Sequence, residues 1–172
     1  MANTYTLIGS PIVVGSGGAS SLVFSSIPNT FTDILIKISA RTSVSSNQDN
    51  LNITFNGSTS GYTEKTILGT GSAANSYGGS NPYIGWDYCA GANATANTFN
   101  NLELYIPNYA GSNYKSISMD SVEETNATAA YSNLTAGLWS NTAAITSVTF
   151  TPNSGANLVQ YTTAYLYGIS NS

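Results

Sequence analysis

Side chains able to do acid, base or nucleophilic chemistry are scarce in this chain. It has eight carboxylates, four cations (Lys37, Arg41, Lys65 and Lys115), one thiol (Cys89) and no histidine. Without imidazole, the commonest general base and metal ligand is missing, and no Ser-His or Cys-His nucleophile pair can be assembled. What remains is the carboxylate pair of glycoside hydrolysis, which needs two carboxyl groups about 5–9.5 Å apart across a cleft. Glu123 and Glu124 are adjacent, so on a strand they point to opposite faces and read as surface charges at a strand end. Asp120, Glu123 and Asn126 have the residue types of a calcium site but not its Asp-x-Asp-x-Asp-Gly spacing. Gly69-Thr70-Gly71 lacks the Lys-Ser/Thr and the following helix of a phosphate loop. Cys89 has no partner for an internal disulfide and no base to activate it, and reads as a small buried hydrophobe. The expectation is a protein that is not an enzyme and carries no cofactor or metal.

The charge balance narrows the partners. The net charge is -4, and the four cations are scattered, so no basic stripe can track a phosphate backbone. Nucleic acid is therefore not an expected partner. A basic region followed by an apolar run is missing at the N-terminus, and no stretch approaches about 18 consecutive apolar residues. No membrane span is expected, and synthesis in a cytoplasm is.

The elements that would position any site follow from composition and period. Hydrophobic residues make up 41% of the 172, a normal globular share, while charged residues make up only 7%, against about 25% in typical domains. Polarity comes instead from Asn, Ser, Thr and Gly, which favour turns and strand faces over helix interiors. Alternation of period two recurs along the chain, most clearly at Ile34, Ile36, Ile38 and Ala40. It returns at Leu51, Ile53 and Phe55, at Leu102, Leu104 and Ile106, at Ile117 and Met119, and at Leu134, Ala136 and Leu138. Strands are predicted near 4–8, 20–25, 32–40, 51–56, 62–68, 83–88, 100–106, 114–122, 131–139, 145–151 and 158–169. Turn signals separate them, and Asn56-Gly57 is the strongest hairpin cue. The fold class expected is all-β: one antiparallel β-sandwich over 1–172, with a jelly roll as the leading version. Its core is predicted to include Ile34, Ile36, Ile38, Leu51, Ile53, Leu102, Leu104, Leu134 and Leu138.

Gly69 to Asn81 shows no periodicity and reads as a long surface loop, the kind of segment that often carries contacts. Ala90 to Asn97 reads as a shorter one. Twelve tyrosines and two tryptophans suit an intersubunit interface or sugar stacking, since both rings join apolar area to a polar tip. Candidate interface residues are Tyr5, Leu7 and Ile8 in an N-terminal segment (about 1–12), Tyr77, Tyr83 and Trp86 in or near the long loop, then Tyr109 and Trp139. Tyr165 and Tyr167 complete the set on the last strand, which reads as a central strand covered on both faces or as one whose outer face meets a neighbouring subunit.

Several segments carry a resemblance: Met1 to Ile8, Phe31 to Arg41, Leu102 to Tyr109, Ala136 to Ser147 and Ala164 to Ile169. In order and spacing they resemble small virion structural proteins of tailed phages of aquatic bacteria. The resemblance implies a place on the outer surface of a phage particle and transfers no catalytic residues. Within it, the first expectation is a capsid decoration (cement) protein, a homotrimer whose partners are the major capsid protein and itself. The alternative is a tail fibre or receptor-binding tip that holds host cell-surface polysaccharide. A polysaccharide-degrading enzyme is disfavoured by the missing catalytic groups.

Overall fold

The computed structural model describes residues 4–126 and 130–170. Among them the chain is all-β and antiparallel. Its strands are β1 (Tyr5–Leu7), β2 (Ile12–Val13), β3 (Leu22–Phe24), β4 (Asp33–Ser39), β5 (Gln48–Asp49), β6 (Leu51–Phe55) and β7 (Tyr62–Gly69). They continue as β8 (Ala74–Asn81), β9 (Cys89–Ala90), β10 (Asn101–Ile106), β11 (Lys115–Glu123), β12 (Tyr131–Trp139), β13 (Val148–Pro152) and β14 (Thr163–Ile169). A large sheet runs in the order β1-β14-β4-β10-β11-β12-β7-β8, with β2 also on β14, and a small sheet runs β3-β13-β6. β5 and β9 form a separate two-stranded pair.

The two sheets share one core, so the molecule is a β-sandwich with unequal layers. Ile34, Ile36 and Ile38 of β4, Leu102, Leu104 and Ile106 of β10, and Ala164 and Leu166 of β14 supply the large sheet's inner face. Leu22, Phe24, Leu51, Ile53, Phe55, Val148 and Phe150 meet them from the small sheet. The chain crosses between the two sheets at β2–β3, β3–β4, β4–β6, β6–β7, β12–β13 and β13–β14, so this core closes only when sequence-distant strands meet. Nine strands over three do not establish the eight-stranded jelly roll expected from length.

Five expectations are corrected. Residues 74–81 are not loop: β8 pairs residue for residue with β7, from Tyr62 with Asn81 to Gly69 with Ala74. Its turn is closed by Thr70 N–H to Ala73 O at 3.0 Å, and Gly71 has a φ of 81° that a residue without Cβ adopts freely. Backbone pairing on a well-formed neighbour makes this strand without any apolar alternation of its own. Residues 83–88, expected as a strand, are mostly irregular. Asn56 and Gly57 do take positive φ, 52° and 68°, but they do not join paired strands. β6 belongs to the small sheet and β7 to the large one, and the Asn56 amide instead ties the turn to Ala144, Thr146 and Ser147.

The fourth correction is parity. β12 turns Asn133, Thr135, Gly137 and Trp139 inward, leaving Leu134 55% exposed and Leu138 half-buried on the outer face. Trp139 explains this: it packs with Phe55 and Tyr62 at ring separations of 5.6 and 6.1 Å, and a buried tryptophan covers about 150–250 Å², more than a leucine can. Gly137 leaves room on the same face for Ile84, whose tip would lie 2.7 Å from an added Cβ. The fifth concerns the aromatic candidates. Tyr109 and Trp139 are buried in the core, where the Tyr109 hydroxyl donates to the Pro28 carbonyl, so neither can meet a partner. β14 is covered on one face only, by the core.

Candidate functional site

The large sheet's inner face divides into two halves. The small sheet covers the part built by β4, β10 and β14. Beyond the Tyr62–Trp139 end, which Phe55 covers, the part built by β7, β12 and the C-terminal half of β11 is covered by residues 82–90, an irregular crossing whose backbone has few strand partners. Buried backbone groups must be paired, and here side chains do it. Gly85 N–H donates to Glu64 Oε2 at 2.9 Å, Tyr88 N–H to Ser121 Oγ at 3.2 Å, and the Asn133 amide donates to the Trp86 carbonyl. Asn100 Nδ2 donates to the Tyr88 carbonyl at 3.0 Å, and Asp87 Oδ1 accepts Leu51 N–H at 2.9 Å. Ile84 exchanges both strand-like bonds with Ile53, and the crossing regains a strand partner only at its end, where β9 pairs with β5.

This polar layer perturbs its acids. Burial raises the Asp87 carboxyl to about 7, against the Leu51 N–H that favours its charge, with Asp49 and Glu64 nearby adding to the rise. Burial likewise raises Glu123 to about 7, opposed by the positive charge of Arg41. Asp87 Oδ2 and both Glu123 carboxyl oxygens are buried without a hydrogen-bond partner, so no bond at those oxygens offsets the cost of charging them. Glu123 is thus not the surface charge expected, at 2% exposure, while Glu124 is exposed. Asp120 lies on the opposite face from Glu123, so no calcium constellation forms. Among the described residues, no group of three or more His, Cys, Asp and Glu is arranged to hold a metal ion. Arg41 clamps the loop at 91–98, its guanidinium donating to the carbonyls of Thr95, Thr98 and Ala94 at 2.8–3.1 Å. Cys89 is a buried free thiol, its titration pushed well above the ordinary thiol value by burial and by nearby carboxylates.

Where the crossing meets β6 and the end of β8, a small cup of about 200 Å³ opens to solvent, lined by Asn50, Asn52, Glu64, Asn81, Tyr83, Gly85, Trp86 and Asn153. Glu64 organises it: its carboxylate accepts the Asn81 amide at 2.8 Å, Gly85 N–H and the Trp86 side chain. Burial nonetheless holds its carboxyl above the usual range. Trp86 has a φ of 72°, a strained conformation for a bulky residue that survives only when its surroundings enforce it. They do: the ring stacks on Tyr77 at 4.6 Å and 3°. Asn153 Oδ1 accepts from Asn52 Nδ2 at 3.1 Å and from Tyr83 O–H at 3.3 Å. The cup holds one carboxylate, where glycoside hydrolysis uses two.

The large sheet's outer face is a second surface, with no layer over it among the described residues. One cross-strand row reads Tyr165, Lys37, Glu103, Asp120, Leu134 and Ile67, with Lys37 and Glu103 in an ion pair of 2.6 Å. The next reads Leu7, Tyr167, Leu35 and Tyr105. Leu35 is buried between its two tyrosine neighbours, whereas Ile67 is 61% exposed. Tyr165 stacks on Tyr167.

The sequence-predicted interface set therefore divides. Leu7, Tyr165 and Tyr167 share the outer face, and Tyr5, exposed on the edge strand β1, adjoins it. Tyr77, Tyr83 and Trp86 lie around the cup on the other side of the sheet, and Ile8 packs against the core. Residues 1–3 of the N-terminal segment lie outside the described residues. Sequence reasoning missed Glu64, Asp87, Asn81 and Asn153, and a carboxylate alternating with Tyr62, Thr66 and Leu68 was the available signal for Glu64. The chain matches no family model, no curated protein and no solved structure.

Proposed function

We propose that this chain is a non-enzymatic structural protein of a tailed-phage particle, a decoration subunit on the outer surface of the head. Its partners are the major capsid protein and further copies of itself, as a homotrimer, and it is made in the host cytoplasm. The observation that carries the reading is the uncovered outer face: a broad sheet surface with half-exposed tyrosines at one side, Ile67, Leu134 and Val122 at the other, and Lys37, Glu103 and Asp120 in the row between them. Apolar and aromatic patches on an open face are where a protein partner gains most from burial. The resemblance of the sequence to virion structural proteins adds the kind of partner. Repetition on a symmetric shell then lets each contact be modest, because neighbouring contacts raise one another's effective concentration.

Counting copies in purified particles by quantitative mass spectrometry tests this. Hundreds of copies per particle are expected, and a few tens would favour the tail-tip alternative. Replacing Leu134 and Ile67 by Asp should yield a folded protein with reduced occupancy on particles. On this face Lys37 and Lys65 balance Glu103 and Asp120, and Lys37 is already paired with Glu103, so occupancy of the unaltered protein should change little between low and molar salt.

A further inference from the structure

We propose that the cup bounded by Asn52, Glu64, Asn81, Tyr83, Trp86 and Asn153 binds a single ring of a neutral saccharide. The inference goes beyond the structural role above and does not rest on it.

The lining decides the ligand class. A sugar hydroxyl gives and takes hydrogen bonds at one atom, and a side-chain amide offers both a donor pair and an acceptor. Four asparagines line this cup. Asn52 is held inside the wall, its Nδ2 committed to Asn153 and its Oδ1 shut off from solvent, so the amides of Asn50 and Asn153 are the ones left to meet a ligand hydroxyl. Tyr83 and Trp86 supply aromatic walls for the C–H face of a ring, the usual apolar share of a site whose few polar groups fix orientation. Glu64 is a positioning residue: its two oxygens are engaged by Asn81 and Gly85, and it fixes the Trp86 wall. No lysine or arginine lines the cup, so nothing there compensates the charge of a uronic or sialic acid, and the Glu64 carboxylate repels it.

The size of the cup sets the size of the ligand. About 200 Å³ lies below the roughly 300–1,000 Å³ of sites for drug-sized ligands, room for one ring at a chain end or branch. Trp86 is held in its strained conformation by contacts on several sides, so its wall is present before any ligand arrives, which lowers the ordering cost of binding. The cup opens on the side of the large sheet opposite its outer face.

The test uses the whole protein and a panel of methyl glycosides: glucoside, galactoside, mannoside and N-acetylglucosaminide, with methyl glucuronide as the charged control. Saturation-transfer NMR and the side-chain amide and indole resonances of the ¹⁵N-labelled protein report binding. At least one neutral glycoside should bind at millimolar concentration, shifting the Asn52, Asn81, Asn153 and Trp86 side-chain signals and leaving buried Trp139 unmoved. Asn153→Ala should weaken that binding about tenfold, the loss of hydrogen bonds at one wall, with an unchanged circular dichroism spectrum. Should that variant misfold, Tyr83→Ala, at the neighbouring wall, is expected to give the same weakening. Failure of every neutral glycoside to bind, equal or tighter binding of the glucuronide, or shifts confined to residues outside the cup would each overturn the proposal.

Discussion

Two halves of one sheet face are buried in opposite ways. Over β4, β10 and β14, isoleucine and leucine meet the small sheet, whose own ladder satisfies its backbone, so only apolar surface remains to be matched. Under residues 82–90 the covering element is irregular, its amides and carbonyls need partners, and Glu64, Ser121 and Asn133 point inward to provide them. The difference is one of backbone accounting. A regular cover calls for an apolar floor, whereas an irregular cover calls for a polar one. The candidate saccharide cup lies at the open end of the polar half, the half able to present hydrogen-bonding groups.

The largest expected difference between the halves is in pH dependence. Asp87 rises from an ordinary 3.8 to about 7 in the folded chain, and Glu123 from 4.5 to about 7. Between about pH 4 and 7 the folded state therefore holds protons that the unfolded chain has released, so stability falls as pH rises and levels off above about 7. At roughly 1.4 kcal/mol per pH unit for each group, the loss is a few kcal/mol from each acid. Urea unfolding at about pH 4.5 and 7.5 should show the higher midpoint at the lower pH. Asp87→Asn, which keeps a neutral planar group in place of the carboxyl, should flatten the slope. A midpoint that rose toward neutral pH would break the contrast.

The dry half answers to volume instead. Ile36 is fully buried, and Ile36→Ala should cost about 2–5 kcal/mol, by the same amount at both pH values. A pH-dependent cost would mean that the two halves are coupled through the shared core.

How much of this was legible follows the same division. Ile34, Ile36, Ile38, Leu51, Ile53, Leu102 and Leu104 were found from alternation alone, because their cover is apolar and regular. Leu134 and Leu138 were placed on the wrong face because alternation assumes that the apolar set points inward, and on β12 the inward set is Asn133, Thr135, Gly137 and Trp139. β8 went unseen because Ala-Asn-Ser-Tyr-Gly-Gly-Ser-Asn owes its strand to the β7 edge. The cup joins β6, β7, β8, residues 82–86 and Asn153 after β13, and no spacing along the chain records that meeting.

The smallest effect, and the sharpest check of parity, comes from two neighbours on β12. Thr135 is buried, and its hydroxyl bonds that of Thr66 across the ladder at 2.7 Å, whereas Leu134 stands on the outer face with Ile67 as its exposed cross-strand neighbour. Thr135→Ala leaves the Thr66 hydroxyl buried without that partner, at a cost of about 1–3 kcal/mol. Leu134→Ala removes more carbon but from a surface already in water, and should stay within about 0.5 kcal/mol. Urea midpoints at one pH compare the two directly. If the leucine truncation proved the costlier, β12 would present the other face to the core, Trp139 would point outward, and the division of the sheet into a dry and a polar half would fail with it.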